Sequence, residues 1–218
     1  EGSELVERVK TGGVLPMFTS CCPGWVKFLE EFYPELIPHL SSCKSPQQMF
    51  GALAKSYFPK VAKLDPEKIV SVSIMPCTAK KFEAQRPEMM ASGFRDVDYV
   101  LTTRELAAMI RGAGIDLASL PDMPAEELMG AYSGAATIFG ATGGVMEAAL
   151  RTAYKLITGE ELADLDIEPV RGMEGIKTAK VQAGALQVRV AVAHGLGNAR
   201  KLMEEVKMGK SPYHLIEV

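Results

Sequence analysis

The chain has 218 residues, 47% of them hydrophobic and 23% charged, with 24 basic side chains against 27 acidic ones and a formal net charge of -3. That length can bury a substantial core in one domain or two small ones, and the composition excludes disorder as the main state. The near-balanced charge argues against nucleic acid and against an anionic membrane surface as partners. No run reaches the roughly 18–20 apolar residues of a membrane span, and four cysteines are too sparse for a disulfide scaffold.

In chain order, residues 14–20 read as a buried strand. Residues 23–40 carry Trp25, Phe28, Leu29 and Phe32 at helical spacing, with Pro23 suited to the first turn. Ser45-Pro46-Gln47-Gln48 opens a second helix running to about Phe58. Residues 69–74 form a strand that ends at Met75-Pro76-Cys77. A short strand at residues 99–101 precedes a helix over 104–111 that Thr103 caps. Residues 113–131, with Pro121 and Pro124, form a long surface loop. Gly143-Gly144 precedes a helix over 145–157. Residues 176–181 and 187–193 make a hairpin through Gly184, 198–207 a helix, and 213–218 a strand. Strands separated by helices predict an α/β architecture with a largely parallel sheet. The chain starts at Glu1 without an initiator methionine and stops in a strand-like run, so both ends are expected to be cuts through a domain.

Two cysteine-bearing segments sit at strand-to-helix turns: Thr19-Ser20-Cys21-Cys22-Pro23, and Met75-Pro76-Cys77-Thr78-Ala79-Lys80-Lys81-Phe82-Glu83. In parallel α/β sheets such turns lie at the carboxyl ends of strands, where ligands bind. There helix-terminal N–H groups and the helix dipole favour thiolate, the metal-binding form. Lys80, three residues after Cys77, can lean over the same pocket and suits an anionic cofactor. Zinc-type Cys-x-x-Cys pairs are missing, and His39, His194 and His214 lie in no recognisable catalytic context. Cys43 reads as an inert small hydrophobe. Spacing alone leaves a metal or redox site and inert thiols both open.

At these residues the sequence resembles the catalytic domain of [FeFe]-hydrogenases. Both cysteine segments match that family's signatures. So do Phe139-Gly140-Ala141-Thr142-Gly143-Gly144-Val145-Met146-Glu147-Ala148-Ala149, Ser45-Pro46-Gln47-Gln48 and Arg95-Asp96-Val97-Asp98. The resemblance covers residues 1–218. It implies a two-lobed iron-only hydrogenase-like α/β fold with largely parallel sheets flanked by helices. The boundary between lobes is expected near residues 112–130, and a cleft between them is expected to hold Cys21, Cys22, Cys77 and Lys80.

The resemblance also implies an H-cluster: a [4Fe-4S] cube joined to a two-iron subsite with CO, cyanide and an azadithiolate bridge. Cys22 and Cys77 match two of the cube's four cysteine ligands. The other two belong to a third motif that follows the family's equivalent of residues 213–218, so this stretch alone is expected to be inactive and without the cofactor. Cys21 matches the thiol that exchanges protons with the bridge amine, and Glu1, Ser41 and Glu4 match the rest of the proton relay. Lys80 matches the contact to a cyanide on the distal iron. Ser45, Pro46, Gln47, Met75 and Phe139 match pocket-lining positions. The implied activity is reversible oxidation of H2 to protons and electrons. The implied partners are ferredoxin or a similar carrier and the maturation proteins that deliver the two-iron unit, and the implied compartment is the cytoplasm. An iron–sulfur assembly or scaffold protein of the same fold is the alternative, disfavoured by the presence of Cys21 and Lys80. An H2-sensing domain is a further alternative, disfavoured by Cys21.

Overall fold

The computed structural model of the protein describes residues 1–126, 129, 134–163, 174–184 and 186–218, with the backbone of 168–169. The chain divides into two compact units, one of residues 1–43 with 132–218, the other of residues 44–131.

The first unit comprises α1 (Gly2–Thr11), β1 (Met17–Phe18) and α2 (Pro23–Phe32), and resumes with α6 (Gly134–Ile138), α7 (Gly144–Thr158), β4 (Glu168–Pro169), β5 (Ile176–Ala183), β6 (Leu186–Ala193), α8 (Leu196–Lys207) and β7 (Leu215–Glu217). Its five strands run in the order β1-β7-β6-β5-β4. The β1–β7 and β7–β6 pairs are parallel, while β6–β5 and β5–β4 are antiparallel. β7 and the second half of β6 are buried without alternation because both sheet faces are covered there, while β5 alternates buried and exposed residues. Met17, Val190, Val192 and Leu215 pack with Leu5 of α1 and Met146 and Leu150 of α7. Phe18, Ala191, Ala193 and Ile216 pack with Trp25 and Leu29 of α2 and Leu202 and Met203 of α8. Successive residues thus serve opposite layers, as the two-residue period of a strand requires.

The second unit comprises α3 (Pro46–Ala62), β2 (Val72–Met75), α4 (Ala79–Gln85), β3 (Tyr99–Thr102) and α5 (Thr103–Gly112). β2 and β3 pair in parallel, so three of the five strand pairings in the two sheets are parallel. Its buried apolar centre is small: Ala84, Val97 and Val100, with Met75 against them. Ionic contacts supplement it. Lys55, buried in α3, pairs with Asp98 at 2.5 Å and donates to the Arg95 carbonyl at 2.8 Å. The Asp96 carboxylate accepts from the backbone N–H groups of Ala91 and Ser92, both at 3.0 Å, and from Lys44 at 3.2 Å. The Arg95-Asp96-Val97-Asp98 segment is therefore a structural knot.

Several expectations need correction. The strand expected over 14–20 is only Met17–Phe18, and Val14 is exposed. The helix expected over 23–40 stops at Phe32, because Pro34 lacks the N–H that would continue it, and a 3-10 turn follows at Pro34–His39. α3 runs on to Ala62, past the expected end at Phe58. The strands expected over 69–74 and 213–218 contract to Val72–Met75 and Leu215–Glu217. The cap of α5 is Thr102, not Thr103, in a reciprocal arrangement with Glu105. The loop expected over 113–131 contains a 3-10 turn at Leu117–Ser119, and part of it lies outside the described residues.

Candidate functional site

In the first unit the Thr19–Cys22 turn is pinned from several directions. Thr19, fully buried, donates its N–H to the Ile216 carbonyl at 3.0 Å and accepts from the Trp25 indole at 2.9 Å through its own carbonyl. The Ser20 hydroxyl donates to the Cys43 carbonyl at 2.6 Å. Cys22 is the N-cap of α2, with extended backbone and its carbonyl accepting from the Val26 N–H at 3.0 Å. Pro23 follows at the position where its missing N–H costs nothing. Cys21 and Cys22 are both half-buried, and none of the four cysteines forms a disulfide.

Beside this turn the structure assembles a polar cluster. The Ser41 hydroxyl donates to Glu4 Oε2 at 2.6 Å, and the Ser42 N–H donates to both Glu4 oxygens at 3.1 Å. Arg8, one turn along α1, meets Glu4 Oε1 at 2.8 Å and also donates to the carbonyls of Val14, Pro38, His39 and Leu40. Burial alone would raise the Glu4 carboxyl, but the donors Ser41, Ser42 and Arg8 outweigh it and hold the group below the usual carboxylate range. Glu1 accepts from the Ser20 N–H at 3.2 Å, and burial, aided by the nearby Glu4 charge, pushes its carboxyl up. Cys43 departs from its expected setting as an inert hydrophobe. It is half-buried, its N–H donates to the Ser41 hydroxyl at 3.1 Å, and its thiol lies 3.8 Å from Glu4 Oε2.

Phe139 is exposed just beyond α6. The glycine pair after it is sterically required: Gly143 has φ 93°, and a Cβ at Gly144 would fall 1.7 Å from the Ile138 carbonyl oxygen. The buried carboxylate of Glu217 accepts from the N–H groups of Gly143 at 2.9 Å and Met146 at 2.6 Å, capping α7 from β7. Burial raises its carboxyl despite those two donors.

In the second unit Cys77 is exposed, immediately before Thr78, the N-cap of α4. Met75 is half-buried against the small core. Pro46 opens α3, and Ser45 caps it by accepting from the Gln48 N–H. Three of the family-matched positions converge on one buried carboxylate, Glu83. The Ser45 hydroxyl donates to Glu83 Oε2 at 2.8 Å and the Gln47 amide to the same oxygen at 3.2 Å, while Lys80 contacts both oxygens at 3.1 Å.

The structure thus joins Glu4 to Ser41, and Ser45, Gln47 and Lys80 to one another. Three contributors escaped the sequence reading. Arg8 stands four residues after Glu4 and Glu83 three after Lys80, both helical pairing intervals, so spacing carried a signal for each. Glu217 lies in a strand and shows none.

The donor set fits an iron–sulfur group. Thiols, the soft ligands that iron–sulfur clusters take, stand at two helix starts outside any disulfide. Among the described residues no three Cys, His, Asp or Glu side chains are grouped to hold a metal ion by themselves. Gln48, fully buried beside Gln47, has a side-chain amide whose hydrogen bonds the chain itself leaves incomplete, as expected next to water or a bound group.

Comparison with known proteins agrees. The family description "Iron only hydrogenase large subunit, C-terminal domain" matches residues 1–218. The periplasmic [Fe] hydrogenase large subunit of Nitratidesulfovibrio vulgaris is 57% identical over 219 residues, which are 100% of this chain and 52% of that protein. Iron hydrogenase 1 of Clostridium pasteurianum is 52% identical over 218 residues, again 100% of this chain but 38% of that protein. A solved structure describing stepwise H-cluster assembly in the [FeFe]-hydrogenase HydA superposes with a TM-score of 0.86 at 43% identity, covering 99% of this chain and 62% of that one. The cytosolic iron-sulfur assembly component 3 of Rattus norvegicus is more distant, 35% identical over 218 residues covering 97% of this chain and 46% of that protein. The chain spans about half the length or less of these curated relatives. Among the described residues no helix is long and apolar enough to cross a membrane. With a thiol pair at one helix start, a third thiol at another and a match along its whole length, the chain belongs to the family of the iron-only hydrogenase large subunit, C-terminal domain.

Proposed function

We propose that this chain forms part of the catalytic domain of an [FeFe]-hydrogenase that interconverts H2 with protons and electrons at an H-cluster. The observation that carries the reading is the 2.6 Å hydrogen bond between Ser41 and Glu4, two positions 37 residues apart that the family resemblance assigns to one proton relay. By the family resemblance Cys22 and Cys77 would each supply a thiolate to iron, and Lys80, Ser45, Pro46, Gln47, Met75 and Phe139 would hold and shield the two-iron unit. When bound, the cofactor supplies the redox and Lewis-acid chemistry.

The chain's own residues move the proton. The Cys21 thiol accepts or releases it next to the metal, and Glu1, Ser41 and Glu4 pass it on. A hydroxyl suits the middle of such a wire, since Ser41 can donate to Glu4 while taking a proton on a lone pair. The two carboxylates are tuned apart: burial makes Glu1 the stronger proton holder, and Arg8 with Ser41 and Ser42 keeps Glu4 anionic. Ferredoxin or a similar carrier exchanges the electrons, and maturation proteins install the two-iron unit.

Replacing Cys21 by Ser in the native protein tests the relay, because a hydroxyl is a much weaker acid than a thiol. H2 turnover is expected to fall close to zero with bound iron unchanged, and undiminished turnover would reject the assignment. Cys22→Ala or Cys77→Ala is expected instead to lower the iron content itself. The assembly-factor reading is the weaker one: the assembly component is 35% identical against 57% and 52% for the two hydrogenases, and Cys21 and Lys80, which the resemblance assigns to the two-iron unit, are both present.

A further inference from the structure

We propose that Glu83 is a positioning residue that acts through Lys80, locking its ammonium, the Ser45 hydroxyl and the Gln47 amide into one clamp that determines how firmly the anionic part of the cofactor is held. The inference rests on the reading of Lys80 given above and adds a residue to it. Lys80 lies on a flexible four-carbon stem that loses considerable rotamer freedom when fixed. Glu83, one turn further along α4, removes that freedom by meeting the ammonium with both oxygens at 3.1 Å. The carboxylate is buried and also engaged by Ser45 at 2.8 Å and Gln47 at 3.2 Å. Gln47 is itself held from its other end, where its carbonyl oxygen accepts from the Ser73 hydroxyl of β2 at 2.8 Å. One acid therefore couples α3, α4 and β2. It also offsets the lysine charge, so the clamp carries no net charge, and the Ser45 and Gln47 donors help repay the desolvation of the buried pair.

The test is a double-mutant cycle in the native protein loaded with the H-cluster, using Glu83→Gln, Lys80→Met and the pair. The readouts are the iron of the two-iron unit remaining after gel filtration and the cyanide stretching band in the infrared. Glu83→Gln alone is expected to weaken retention about 10–100-fold, the usual cost of removing a supporting partner of a metal site, and to shift the band. In the Lys80→Met background the same substitution is expected to change neither. Equal losses in both backgrounds would make Glu83 a structural residue only and overturn the proposal, leaving Lys80's role intact. A Lys80→Met protein with unaltered retention and band would overturn both. If Glu83→Gln fails to fold because it leaves a buried ammonium half-paired, Lys80→Met/Glu83→Met removes both charges. That pair is expected to fold and to match Lys80→Met alone, and any further loss of retention would overturn the proposal.

Discussion

Asp96 is a fully buried carboxylate whose charge is stabilised by two backbone N–H groups and by Lys44. Burial alone would raise its pKa, but the donors at Ser92, Ala91 and Lys44 together hold it below the ordinary value. A carboxyl whose folded pKa lies below its unfolded value, about 3.9, contributes stability above that value and loses it as pH falls through the folded pKa. Asp96→Asn should therefore destabilise by about 1–3 kcal/mol near neutral pH. The gap should close as denaturation is followed from pH 4 downward, and a constant difference at all pH would contradict the assignment. Ser41→Ala should move the Glu4 carboxyl upward in a 13C-detected titration, because it deletes a donor at 2.6 Å. At this scale the sequence was legible only where a motif was recognised. Cys21, Glu4 and Ser41 came from resemblance, since a carboxylate and a hydroxyl 37 residues apart show no pattern until the chain folds. Cys43 was misjudged because nothing in its neighbours announces a polar cluster.

Helix ends and glycine turns govern the elements. Thr102 accepts from the Glu105 N–H at 3.1 Å while the Glu105 carboxylate accepts from the Thr102 N–H at 2.8 Å. Thr102→Ala is expected to cost about 0.5–2 kcal/mol in thermal or denaturant unfolding, and Thr103→Ala close to nothing. The sequence reading set the cap one residue late, on Thr103, because only the folded backbone shows that Thr102 is the extended residue. Gly144→Ala should be far more disruptive, since its Cβ would overlap the Ile138 carbonyl oxygen at 1.7 Å and the turn into α7 would have to open. A variant melting within a degree of the parent would contradict that geometry. The β5–β6 hairpin was legible because two β-rich segments with apolar residues interleaved by polar ones flank Gly184, and α8 because its apolar residues recur at helical spacing. β1 was overestimated because apolar residues continue back to Val14, although Pro16, lacking an N–H, stands just before the ladder.

Across the whole chain the apolar interior is unevenly shared. The first unit buries two large clusters, one on each side of its five-stranded sheet. Among its described residues the second has one small cluster, Ala84, Val97 and Val100, and leans on the Lys55–Asp98 and Lys44–Asp96 pairs. Each fully buried Leu or Phe side chain is worth roughly 1.5–3 kcal/mol, so the first unit should be much the more resistant to local opening. Hydrogen exchange is expected to protect β6 and β7 longest and to release β2 and β3 earlier, and the reverse order would refute this ranking. The alternation of strands and helices announced the α/β class. It could not show that residues 1–43 and 132–218 share one unit, because that depends on which strands pair. That pairing has a consequence for synthesis. The cysteine turn hangs from β1, whose ladder partner is β7, with Met17 opposite Leu215 and Phe18 opposite Ile216. A ribosome adding about 5–20 residues per second needs roughly 10–40 s to travel between those two segments. Throughout that interval Cys21 and Cys22 follow a nascent strand whose ladder partner does not yet exist, so the Thr19–Cys22 turn cannot take its final place until translation has passed β7.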